Sequence, residues 1–188
     1  MATVILFHSV YGLRSLERDS AERLRAAGHD VFTPDLYEGK VARSIDEGFA
    51  LKEAIGWPTL CERAEKATAA LPASAVLGGF SMGVGITADL WPMRPLTAGV
   101  LLLHSVGGIP DNVRSGLPVQ VHLADPDRFG PADEVAAWQA AAARLGISAE
   151  IFKYPGIGHL YTDATLPDYD DEAAERTWNR IIDFLGAL

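Results

Sequence analysis

The sequence predicts an α/β protein built on a parallel sheet of about six strands, with helices packed on both faces. Three observations carry that prediction. Short β-branched apolar runs alternate along the chain with longer amphipathic stretches. The runs are apolar at nearly every position, the mark of a strand covered on both sides. Each amphipathic stretch carries one apolar stripe at helical spacing, and such a stripe needs a sheet to bury it.

The elements follow in order. Thr3–Phe7 reads as the first strand. Leu13, Leu16, Ser20, Leu24 and Ala27 then recur at steps of three and four, and Gly28 supplies a left-handed helix stop. Asp30–Thr33 is the second strand. The connection Leu36–Leu71 exceeds a minimal crossover; it holds a short helix around Asp46–Ile55 and a second stripe of Leu60, Ala64, Ala67 and Leu71. Ala75–Gly79 and Ala98–Leu103 are further strands. A second long connection, Gly107–Pro118, leads into the strand Val119–Leu123. Val135, Trp138, Ala142 and Leu145 mark the next helix, stopped at Gly146, and Glu150–Tyr154 the last strand. The acidic cluster Asp168, Asp170, Asp171 and Glu172 reads as the solvated start of a final helix, where negative charge suits the dipole. That helix carries Ala174, Trp178, Ile181 and Leu185. Both long connections are expected over the carboxyl ends of the strands, where open α/β sheets bind ligands.

Composition narrows the function classes. A chain of 188 residues with 48% apolar content is expected to fold as one domain, 1–188. Its formal net charge of −9 repels phosphate backbones and anionic lipid, so neither nucleic acid nor membrane is an expected partner. Met1–Phe7 lacks a basic leader, and no apolar run reaches the length of a membrane span. Cys61 is the single cysteine, which excludes an internal disulfide and any CxxC pair and agrees with a cytoplasmic setting. It lies on a helical stripe and reads as core filler, as do Trp91, Trp138 and Trp178. Trp57, in Gly56-Trp57-Pro58 of the long connection, is placed to roof a pocket.

Chemistry concentrates in Val76-Leu77-Gly78-Gly79-Phe80-Ser81-Met82-Gly83-Val84-Gly85. An apolar strand runs into Gly79-Phe80-Ser81-Met82-Gly83, a G-x-S-x-G pentapeptide, and a helical stretch follows; this is the context a nucleophile elbow requires. The serine sits in a strained strand-to-helix turn, so its neighbours must be tiny. The plain alternative is a tight turn with glycines for packing. The remaining glycines do not complete G-x-G-x-x-G, no lysine follows them to form a phosphate-binding loop, and no His/carboxylate cluster has metal-ligand spacing. No cofactor or metal is expected.

A serine nucleophile needs a base, and the base an orienting acid, in the chain order Ser, acid, His. Three histidines follow Ser81. His122 lies within a strand and reads as a core residue; His104 closes a strand beside the site but precedes every good acid. His159, in Tyr154-Pro155-Gly156-Ile157-Gly158-His159 just past the last strand, is the expected base. The acid is expected after the Val119–Leu123 strand, where Asp125 and Asp127 compete. Asp127 is preferred, because Asp125 precedes a proline and suits a turn; Asp111 and Asp133 are remoter, and Asp133 looks like a helix N-terminal residue. The amides of Met82 and Val10 are the expected oxyanion donors, Val10 lying in the loop Phe7-His8-Ser9-Val10-Tyr11-Gly12 after the first strand.

Four segments resemble the dienelactone hydrolase family in order and spacing across nearly the whole chain: Pro34-Asp35-Leu36-Tyr37, the pentapeptide around Ser81, His122 to Phe129, and Tyr154 to His159. The resemblance implies a minimal α/β-hydrolase fold that begins at the third strand of the standard sheet, with the acid at Asp127 and the base at His159. It implies hydrolysis of an ester-type small molecule. Three departures shape the expected chemistry. The family's usual nucleophile is cysteine, and here it is Ser81. Ser9 stands where a thiol-activating glutamate is usual. Leu160, Tyr161, Thr162 and Asp163 follow His159 where an arginine is usual, which makes that pocket rim acidic and points to a neutral ester, lactone or thioester. The alternatives are a non-catalytic small-molecule receptor on the same scaffold, and a perhydrolase or acyltransferase with the same triad.

Overall fold

The computed structural model describes all residues from Met1 to Leu188. Six strands, β1 (Thr3–Phe7), β2 (Asp30–Phe32), β3 (Val76–Phe80), β4 (Val100–Leu103), β5 (Pro118–Asp125) and β6 (Ser148–Pro155), form one sheet in the order β2-β1-β3-β4-β5-β6. Every pairing is parallel. Six helices accompany them: α1 (Ser15–Ala26), α2 (Ile45–Ile55), α3 (Trp57–Thr68), α4 (Met82–Leu90), α5 (Ala132–Arg144) and α6 (Asp171–Ala187).

Side-chain alternation along β1 explains the layers. Val4 and Leu6 join Leu16 and Leu24 of α1 and Trp178, Ile181 and Leu185 of α6. Ile5 and Phe7 point the other way, into a cluster with Leu60 of α3, Val84 and Ile86 of α4, and Val135 and Trp138 of α5. Both faces are therefore apolar and both are covered, which is why these strands read as continuous hydrophobic runs. Gly28 and Gly146 end α1 and α5 at φ +91° and +71°, as expected of left-handed stops. Asp170 caps α6 by accepting from Ala173 N–H at 2.8 Å, within the acidic cluster predicted to start that helix.

Three helical details differ from the periodic reading. Ala27 and Ala67 are exposed rather than core. On α3 the buried position is Thr68, whose hydroxyl donates to the Ala64 carbonyl at 2.8 Å and so enters the core satisfied. On α1 the unexpected buried residue is Glu17. Strands β5 and β6 also run beyond their predicted ends, because each is the other's partner and pairing continues to Asp125 and Pro155. No helix is long and apolar enough to cross a membrane.

The sheet order reverses between β1 and β3. The chain leaves β1 for α1 on one face and leaves β3 for α4 on the other. Such a switch point opens a crevice at the carboxyl ends of the strands. Register sets Phe7 beside Gly79, so the loop after β1 and the turn after β3 flank that crevice. Part of the first long connection lies over it, as expected: α2 and Trp57 reach the crevice; the second, Gly107–Pro118, does not, and only Ser105 and Val106 just before it line the cavity.

Candidate active site

Ser81 sits between β3 and α4 at φ +51°, a conformation that costs a β-substituted residue energy. Its backbone N–H donates to the Leu103 carbonyl at 2.8 Å, fixing the bend against β4. The glycines on either side are sterically required. A Cβ on Gly79 would lie 2.2 Å from the Gly83 backbone, and one on Gly83 would lie 2.3 Å from the Phe7 carbonyl oxygen. Strand, turn and helix close together only if both positions lack side chains.

The structure brings Ser81, His159 and Asp127 into one chain of hydrogen bonds. Ser81 Oγ lies 2.8 Å from His159 Nε2, and His159 Nδ1 lies 2.6 Å from Asp127 Oδ2. The Asp127 side chain is 2% exposed; its second oxygen accepts the Phe129 N–H at 2.9 Å. Asp125 is exposed at the end of β5, with its backbone carbonyl bonded to Gly156 N–H at 2.9 Å, and it stays outside the cluster. His159 is seated by its own loop. A Cβ on Gly158 would meet the Asp168 carboxyl carbon at 2.4 Å, so only glycine lets that carboxylate pack here and accept Leu160 N–H at 3.2 Å.

Val10 and Met82 both line the cavity that contains Ser81 Oγ. Met82 is the first residue of α4, where backbone N–H groups have no helical acceptor. The Ser9–Val10 peptide is held in place: the Ser9 carbonyl accepts Gly12 N–H at 3.1 Å and lies 2.7 Å from His8 Nδ1. His8 Nε2 accepts Leu36 N–H at 3.1 Å, so Nδ1 carries the ring proton and donates to that carbonyl. In a trans peptide the Val10 N–H points opposite to the anchored carbonyl.

Three residues support this geometry in ways the sequence did not show. Glu17 reaches from α1 to accept the N–H groups of Ser9 at 3.2 Å and Arg14 at 2.9 Å, pinning the loop after β1; burial pushes its carboxyl above the ordinary range. The visible signal was a glutamate at the third position of a helix, a capping site, but its buried face was masked by the charge. Arg14 forms an ion pair with Asp163, which is 1% exposed. The acidic rim expected from Asp163 is therefore absent: that charge is buried and neutralised by a cation 149 residues away in sequence. Asp168 is the third: expected in the solvated start of α6, it lies before that helix, half-buried, with its carboxylate packed on Gly158 and bonded to Leu160 N–H.

His104 and His122 are core residues. His122 lies 3.0 Å from the Tyr154 hydroxyl and 2.9 Å from Gln120 Oε1, and burial holds its pKa down at about 3. His104 is fully buried at φ +67°, with Nε2 2.7 Å from Thr162 Oγ1 and its ring 6.0 Å from that of His159. Burial keeps it far below its ordinary pKa, hence neutral beside His159. Cys61, expected as core filler, is half-buried instead: its thiol lies 3.4 Å from Asp89 Oδ2, and burial pushes its pKa up to about 11. No cluster of three or more His, Cys, Asp or Glu side chains is arranged to hold a metal ion.

Two cavities adjoin His159. One, of about 290 Å³, contains Ser81, Val10 and Met82 and is walled by Phe49, Trp57 and Val106. Trp57 thus forms part of the pocket wall, held there by its indole N–H on Asp89 at 2.6 Å and by close packing on Gly85. The other, of about 730 Å³, is lined by Tyr11, Arg128, Asp168 and His159.

Comparison with known proteins agrees with this architecture. The chain is 24% identical over 208 residues to protein usf of Aquifex pyrophilus, covering 96% of this chain and 86% of that protein. It superposes with a TM-score of 0.78 on a dienelactone hydrolase-like promiscuous phosphotriesterase from metagenomic libraries, at 20% identity, covering 100% of this chain and 87% of that one. A phospholipase/carboxylesterase from Dyadobacter fermentans gives a TM-score of 0.61 at 14% identity, covering 96% and 90%. The sequence profile described as "Dienelactone hydrolase family" matches residues 1–188, the entire chain, and this chain belongs to that family of α/β hydrolases.

Proposed function

We propose that this hydrolase cleaves a small carboxylic ester, lactone or thioester through an acyl-enzyme on Ser81. The observation that carries the reading is the aligned pair of contacts: Ser81 Oγ to His159 Nε2 at 2.8 Å, and His159 Nδ1 to Asp127 Oδ2 at 2.6 Å. Asp127 accepts a hydrogen bond from Nδ1–H and so holds the proton on that nitrogen, which leaves Nε2 unprotonated and facing the hydroxyl. His159 takes the Ser81 proton as Oγ bonds to the substrate carbonyl carbon. The carbonyl oxygen becomes an anion held by the Met82 and Val10 amides, each worth about 3–4 kcal/mol of barrier. His159 returns the proton to the departing oxygen or sulfur as the acyl–heteroatom bond breaks. Water, deprotonated by the same ring, then adds to the acyl carbon, and Ser81 leaves with its proton restored. A serine has no anionic resting state near neutral pH, so this chemistry does not require the glutamate that Ser9 replaces.

The test is labelling with a fluorophosphonate. Wild type should label, and Ser81→Ala and His159→Ala should not. Ser81→Ala should keep at most about 10³–10⁴ of rate over water. Equal labelling of all three proteins, or of none, would overturn the reading.

A further inference from the structure

We infer that the two cavities meeting at His159 divide the substrate: the smaller takes a short apolar acyl group, and the larger takes a polar, hydroxyl-rich alcohol. The inference rests on the acyl-enzyme reading of Ser81.

The chemistry assigns the sides. The carbonyl carbon must meet Ser81 Oγ while its oxygen faces the Met82 and Val10 amides, so the acyl group occupies the cavity those three residues line. The departing oxygen must accept the proton from His159. His159 lines both cavities; with the acyl group filling the one that Ser81, Met82 and Val10 share, the alcohol extends past the ring into the other.

The two compartments differ in size and in available polar groups. The acyl side, at about 290 Å³, lies at the lower limit of ligand pockets, roughly 300–1,000 Å³. Its polar side chains beside the catalytic pair already have partners: the Ser105 hydroxyl donates to the Val106 carbonyl at 3.2 Å. The Trp57 indole N–H donates to Asp89 at 2.6 Å, and the Lys52 ammonium is paired with Glu53 at 3.1 Å while lying over the Phe49 ring. What faces the acyl chain is Phe49, Trp57, Met82 and Val106.

The alcohol side is about 730 Å³ and offers unspent donors and acceptors. Arg128 stacks on the Phe129 ring at 4.5 Å and has no carboxylate partner. Asp168 gives one oxygen to Leu160 N–H and keeps the other. Tyr11 also lines this space, its ring under the Arg14 guanidinium at 4.2 Å and its hydroxyl in the field of Arg14, Asp168, Asp163 and Arg128. One cation, one anion and a hydroxyl, set among Ile157, Leu166 and Pro167, suit a neutral ligand with many hydroxyls and an apolar C–H face. Asp127, though it lines the same cleft, has both oxygens in use.

A matched ester series tests this: acetyl, butanoyl and octanoyl groups, each on ethanol and on methyl glucoside. At fixed alcohol, kcat/KM should rise by up to about fourfold per methylene that the acyl pocket buries. It should then fall by about tenfold or more at octanoyl as the pocket overfills. At fixed acetyl, the glucoside ester should exceed the ethyl ester by about tenfold, the scale of one charged hydrogen bond. Trp57→Ala should shift the acyl optimum toward octanoyl, and Arg128→Ala should shrink the glucoside advantage through KM. Preference for ethyl octanoate over acetyl glucoside, or unchanged selectivity in both variants, would overturn the assignment. Fluorophosphonate labelling of the same samples separates the failures. Labelled protein with reversed selectivity, or with no turnover of sugar esters, defeats only the division of the substrate; absence of both labelling and turnover defeats the acyl-enzyme reading as well.

Discussion

Replacing Asp127 by Asn probes the imidazole's tautomer while nearly preserving shape. The carboxylate contacts two donors, His159 Nδ1 at 2.6 Å and Phe129 N–H at 2.9 Å. An Asn oxygen can keep the Phe129 bond, which turns its NH₂ toward Nδ1. That nitrogen must then be the acceptor, and the ring proton moves to Nε2, the atom facing Ser81 Oγ. The base is lost although every heavy atom stays in place. The expected fall in kcat is about 10⁴-fold, or about 5.5 kcal/mol of barrier. The stability cost is far smaller. One charge-assisted hydrogen bond becomes a neutral one, a loss of about 1–2 kcal/mol, or about 2–8 °C in Tm. Steady-state hydrolysis of p-nitrophenyl acetate, with Tm measured on the same samples, separates the two effects. Asp125→Asn is the control: its side chain is exposed, so activity should stay within about twofold. A loss below tenfold in Asp127→Asn at near-native Tm, or an equal loss in Asp125→Asn, would refute the reasoning.

Other predictions follow from packing and titration. Gly79→Ala places a Cβ 2.2 Å from the Gly83 backbone and should cost about 3 kcal/mol or more, read as a lower urea midpoint; an unchanged midpoint would contradict the elbow packing. Cys61, its thiol pushed up to about 11 by burial and Asp89, should resist iodoacetamide at pH 8, and Cys61→Ser should keep wild-type activity. His122 titrates near 3 when folded and near 6.5 when unfolded, so the unfolded chain binds more protons between these values. Stability contributed by the neutral ring is complete above pH 6.5 and declines as pH falls, by about 1.4 kcal/mol per unit for this residue, with His104 adding in the same direction and the raised Glu17 carboxyl opposing both in part. Urea titrations at pH 7 and pH 5 should show that loss, and a flat profile would contradict it.

Much of the scaffold was readable because burial on both faces writes itself into local sequence. The run Thr3–Phe7 and the stripe Trp178, Ile181 and Leu185 are such cases. Helix edges were harder: after Ala64, either Ala67 or Thr68 continues a helical stripe, and the hydroxyl's bond to Ala64 lets the polar residue take the core position. The pentapeptide around Ser81 and the loop before His159 were legible because close approach demands glycine at fixed places. Asp127 was separable from Asp125 only by preference, since the outcome depends on how far β5 pairs with β6. Glu17 and the Arg14–Asp163 pair were hidden because a buried charge is recognised by its partner, and the partners are distant or are backbone amides. The division into two cavities was also invisible. It depends on where α2 docks, and α2 is held by Gly48, whose missing side chain leaves room for the Val10 carbonyl.

Intact-protein mass spectrometry after rapid acid quench of the enzyme with p-nitrophenyl acetate addresses the serine directly. The predicted result is a transient gain of one acetyl group, mapped by peptide digestion to Ser81 and absent from Ser81→Ala. Acetylation at another residue, or steady turnover by Ser81→Ala at the wild-type rate, would contradict the account.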